Sequence, residues 1–129
     1  MKREEYRVQS LSEPISHFTD AVRSGDLLFV SGIVAVDADG NLVGGADVVA
    51  QARQVFHNMR EVLAAAGCGF ADVVKVTIYL TDVDDRPSIN PVRQEVFGEA
   101  RPASTLVEVP RLAVPGAKIE VEAVALLPG

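Results

Sequence analysis

Glu122 is the side chain with the clearest chemical potential in this sequence. It stands in KIEVEAVAL, where strand alternation puts it on one face with Val124 and Leu126. A carboxylate among apolar neighbours either marks a boundary or is desolvated, and desolvation lifts its pKa toward the range of a general acid–base. The competing reading is a salt bridge, at the surface or between subunits. His17 is a second candidate proton carrier, with an ordinary pKa of about 6.5; it fits an exposed loop equally well. His57 falls between Phe56 and Met59, on the polar side of a helix, and is given no chemical role. Cys68, in AAGCGF, has no basic group or second thiol beside it and is not an activated nucleophile. Asp82, Asp84 and Asp85 suggest a metal cluster. Calcium loops need a longer alternating series of ligands, however, and a solvated turn before a helix explains the three.

A second stretch, RPASTLVEV at 101–109, reads as a strand opened by a proline. Arg101 lies three positions from Ser104, so alternation sends the two side chains to opposite faces. Arg101 joins Ser104 only if the strand has not begun at Pro102. Ser104 itself either binds a ligand or satisfies a strand edge.

These residues need elements to hold them. Residues 46–67 carry Val48, Val49, Ala52, Val55, Phe56, Met59, Val62, Leu63 and Ala66 at three- and four-residue steps, which predicts an amphipathic helix. Asp47 suits its start and Gly67 its left-handed end. Residues 26–36 read as a strand interrupted at Ser31–Gly32, where a bulge or a close approach to the backbone is expected. Residues 72–80 alternate as a strand, with Val74, Val76, Ile78 and Leu80 on one face. Residues 82–98 predict a shorter helix, pointing Ile89, Val92, Val96 and Phe97 inward. Pro91 either kinks that helix or makes Asn90 a cap. Strands at 103–109 and 118–126 follow. Two helices cover one face of such a sheet. The other face, with Val73, Thr77, Tyr79, Leu106, Val124 and Leu126, is too apolar to stay wet, so subunits are expected to bury it.

The 129 residues are expected to form a single domain, 1–129, without repeats or linkers. A formal net charge of −6, with scattered arginines and lysines, disfavours nucleic-acid binding. One cysteine and two histidines make structural zinc improbable. The charged start MKREEYRVQS and the absence of a run of roughly 18 apolar residues predict a cytoplasmic protein that does not enter membranes.

AVRSGDLLFVSG, QARQVFHNMREVLAAAGCGFADVVKVTIYLTDVDD, RPASTLVEVPRL and IEVEAVAL together resemble the RidA (YjgF/YER057c/UK114) family over roughly residues 14–127. The resemblance implies an α+β, chorismate-mutase-like single domain, assembled as a homotrimer with clefts between subunits. It also implies cofactor-free hydrolysis of an enamine or imine to a carbonyl product and ammonia. Glu122 matches the family's water-positioning glutamate, Asn90 its helix asparagine, and Ser31–Gly32 its strand wall. The carboxylate-clamping arginine is replaced by Ser104. Phe18 stands for a tyrosine, Ile33 for a glutamine and Leu106 for a cysteine or threonine, while His17 lies beside the cleft and is a candidate proton donor. Losing a charge-assisted contact costs on the order of 2–3 kcal/mol, so the expected substrate is larger, less anionic or differently oriented than a plain 2-imino acid. The alternative is a non-catalytic metabolite-binding module of the same fold; a ribonuclease is disfavoured by the charge.

Overall fold

Gly25 takes φ 59°, and this left-handed residue lets a two-residue turn fold Ala21–Ser24 (β2) back onto Leu27–Ile33 (β3) as an antiparallel hairpin. The computed structural model describes residues 3–128. Before the hairpin runs Arg3–Tyr6 (β1). After it come the helix Val48–Ala65 (α1), the strand Val73–Leu80 (β4), the helix Arg86–Phe97 (α2), and the strands Ala103–Glu108 (β5) and Ile119–Leu126 (β6). The strands form one mixed sheet in the order β1-β2-β3-β6-β4-β5. Among the described strands only β4 and β5 run parallel, and α2 supplies the crossover that a parallel pair requires.

Both helices lie on one face. α1 buries Val48, Ala52, Val55, Phe56, Met59, Val62 and Leu63 against Leu28, Val30, Val76, Ile78, Ile119 and Val121 of the sheet. α2 adds Ile89, Val92 and Phe97. The ends of α1 follow the expected chemistry: Asp47 Oδ1 accepts from the amides of Val49 and Ala50, at 3.0 and 3.3 Å, and Gly67 takes φ 81°.

Several expectations need correction. β4 carries a bulge between Val73 and Lys75, so Val73 turns into the core and Val74 is exposed. Leu106 pairs with the buried Ile78 and packs against the core, so it lies on the helix side; Val107 faces the open side instead. Asn90 caps nothing. α2 already begins at Arg86, with Pro87 in its first turn, and it runs through Pro91. The hairpin strand β2 and the edge strand β1 were not resolved by hydrophobic alternation: Arg3–Tyr6 is REEY, with no apolar period to read.

A polar side chain closes the end of the core. Gln51 is fully buried; its Nε2 donates to the carbonyls of Gly45 and Gly116, at 2.7 and 3.1 Å, and its Oε1 accepts the Lys118 amide at 2.8 Å. Gln51→Leu strands these groups in an apolar setting. Unfolding in urea is expected to show a loss of about 2–4 kcal/mol, with the slope unchanged.

Candidate active site

The face of the sheet without helices is not uniformly apolar. Leu27, Phe29, Val74, Val107 and Leu126 are each more than a third exposed there. Between them runs a polar group built by register. Tyr79 pairs with Glu120, Thr77 with Glu122 and Thr77 with Thr105, so all five side chains share this face. Tyr79 Oη donates to Glu122 Oε1 at 2.6 Å, and Lys75 Nζ donates to Thr105 Oγ1 at 2.6 Å. Glu122 is thereby held in one orientation. The same bond, with burial and the two nearby carboxylates, pushes the Tyr79 phenol up.

Glu120 is the carboxylate that sequence reading passed over, although alternation puts it on the same face as Glu122. Burial, and then the charge of Glu122, push its carboxyl above the ordinary range. Its Oε2 occupies the place where a Cβ on residue 32 would stand, so a side chain there would push the carboxyl aside. The expected interruption of β3 is therefore both things anticipated: a register shift between Val30 and Ile33, and a close approach to the backbone.

The loop before β2 is tied to this spot. Ser31 Oγ donates to the Thr19 carbonyl at 2.6 Å, Ser31 N donates to the Asp20 carbonyl, and Thr19 Oγ1 donates to the Tyr6 carbonyl at 2.8 Å. The Asp20 carboxylate in turn accepts from the Val8 amide at 2.7 Å and from Arg7 Nη1 at 2.9 Å. These bonds bring exposed His17 and Phe18 to the strand that carries Ser31 and Gly32. Ile33 is half-buried and packs toward the core.

A second cluster lies elsewhere. Asn90 and Arg93 are one helical turn apart on α2, hence on one side of it. Arg93 Nη2 donates to Ser104 Oγ at 2.9 Å. Ser104 pairs with the buried Val76 and so sits on the helix side of the edge strand β5. Arg101 is exposed ahead of β5, which begins at Ala103. Glu120 and Ser104 are thus separated by two strand spacings, by the three-residue offset between their β4 partners Tyr79 and Val76, and by the sheet itself. One chain keeps these two clusters, its candidate half-sites, apart.

The remaining candidates are accounted for locally. Asp82 Oδ1 accepts the Asp84 amide at 2.9 Å in the turn before α2, and no group of three potential metal ligands gathers among the described residues. Burial, and then Asp72, push the Cys68 thiol up, away from nucleophilic character. A cleft of about 660 Å³ between Thr81 and the 110–118 loop shares no residue with either half-site.

Two helices on one face of a mixed six-stranded sheet define an α+β domain of the RidA type. The chain belongs to this family: the model described as Endoribonuclease L-PSP matches residues 9–127. It is 41% identical over 118 residues to the RutC family protein PH0854 of Pyrococcus horikoshii, covering 91% of this chain and 92% of that one. It is 37% identical over 113 residues to the 2-iminobutanoate/2-iminopropanoate deaminase of Homo sapiens, covering 87% and 81%. The crystal structure of E. coli TdcF with bound serine superposes with a TM-score of 0.88 at 30% identity, covering 97% and 99%. No helix among the described residues is long and apolar enough to cross a membrane.

The raised pKa of Glu120 has a measurable sign. Folding prefers its protonated form, so wild-type stability falls as pH rises from the ordinary carboxylate value, about 4.3, through the raised folded value. Glu120→Gln lacks that decline. Denaturant midpoints should place Glu120→Gln above wild type at pH 8, with the gap closing below pH about 4.

Proposed function

We propose that the protein is a cofactor-independent deaminase that hydrolyses a small enamine or imine to a carbonyl compound and ammonia. It acts in the cytoplasm, in clefts between the subunits of a homotrimer. The observation that carries this reading is Glu120, lodged against Gly32 with its carboxyl biased toward the protonated form beside a second, oriented carboxylate.

An imine carbon is already electrophilic, so the protein needs a proton donor, a positioned water and a holding surface. Glu120 donates its proton to the imine nitrogen, or to the enamine carbon of the less advanced tautomer. Glu122, fixed by Tyr79 Oη, takes a proton from the water that adds to the carbon. The carbinolamine then loses ammonia as its hydroxyl becomes the carbonyl, with the two carboxyls exchanging protons. His17 is the alternative donor from the adjoining loop. Phe18, Ser31, Gly32 and Ile33 form the wall on this side; Asn90, Arg101, Ser104 and Leu106 supply the opposite wall from a neighbouring copy. The deaminase name of the human relative and the serine held by TdcF support a small amino-acid-derived ligand.

Two features support assembly. Phe29, Val74 and Leu126 are 46%, 47% and 51% exposed on a face that no helix covers. The half-sites also lie on opposite sides of the sheet, so a ligand touching both spans two copies. The ribonuclease reading carried by the family description gains nothing from a net charge of −6.

With 2-iminobutanoate generated in the assay, purified protein is expected to release ammonia faster than the spontaneous reaction. Glu120→Gln and Glu122→Gln should each lower kcat/KM by about 10²-fold or more. Ligand binding with no acceleration would assign the non-catalytic reading instead. Sedimentation should find three 13.7 kDa chains in one particle, and Leu126→Glu should release single chains.

A further inference from the structure

Arg93 is a guanidinium in an unusual position. It is half-buried between α2 and β5, and that burial pushes it down with no carboxylate to hold it up, whereas Arg53 is held up by Glu95. A guanidinium keeps its charge regardless, and it offers five N–H donors in one plane. Among the described residues, its side-chain hydrogen bond is the one to Ser104 Oγ. Partial desolvation of a cation without an anionic partner is unfavourable, and it is relieved when an anion binds.

The surroundings point outward. Ser104 is exposed on the edge strand, and Asn90, one turn before Arg93, is exposed as well. The Ser104 hydroxyl accepts from one Nη, which fixes the plane of the fork and leaves donors for a planar, two-oxygen ligand.

We propose that Arg93, braced by Ser104, is the carboxylate-binding residue of this protein, and that its ligand is a small 2-oxo or 2-imino acid. The cation comes from the crossover helix, so a serine on β5 does not mean a neutral substrate. The choice of a 2-oxo or 2-imino acid rests on the deaminase reading; the role of Arg93 in holding a carboxylate does not.

The test is calorimetric titration of the assembled protein with 2-oxobutanoate and with its uncharged amide. Wild type is expected to bind the acid and not the amide. Arg93→Gln should weaken the acid roughly ten- to a hundredfold, and the double variant R93Q/S104R, which returns the guanidinium to the strand, should recover most of the loss. Equal binding of acid and amide by wild type, or unchanged binding by Arg93→Gln, overturns the inference. So does sedimentation showing that both Arg93→Gln and Arg93→Lys break the oligomer, since the arginine then pairs with a neighbouring subunit. Arg93-dependent binding of the acid without any acceleration of ammonia release sustains the inference while refuting the deaminase reading. Acceleration with a KM that Arg93→Gln leaves unmoved does the reverse.

Discussion

A carboxylate laid against bare backbone governs the candidate site. Glu120 rests its carboxyl where a Cβ on residue 32 would stand. That contact depends in turn on β6 lying between β3 and β4, in a register that aligns Glu120 with Tyr79. A one-residue slip would turn Glu120 and Glu122 into the helix-covered core, where unpaired carboxylates are prohibitively costly. The register is therefore enforced from both sides, by apolar residues that must face the helices and by acidic ones that must not.

The sheet divides its labour accordingly. On the helix side, Leu28, Val76, Ile78, Ile119 and Val121 are almost entirely removed from water and supply the hydrophobic stabilisation. On the open side the same strands hold a mixed population, apolar at the flanks and titratable in the middle. The partial desolvation of Glu120 is a direct result of the crowding around it.

Much of this was legible before the fold was known, and the limits are instructive. α1, β4 and β6 follow from hydrophobic period, and the glycine interruption of β3 announced the approach that Glu120 makes. Local bulges are not encoded in period: the bulge at Val73–Lys75 inverted the assignment of Val73 and Val74. β1 has no apolar signal, since its pairing comes from the neighbouring hairpin. Glu120 and Glu122 are indistinguishable by alternation, and only the contact with Gly32 sets Glu120 apart. The proximity of Arg93 to Ser104 was out of reach, because it arises from how the α2 crossover returns beside β5. Spacing along the chain points only to Arg101, which lies exposed ahead of β5.

The edge strand β5 has one more effect. Pro102 stands immediately before it and Pro110 just after it, and neither can offer an amide to a further strand. The ladder that β5 exposes is thus short and bracketed, a poor template for open-ended growth of the sheet.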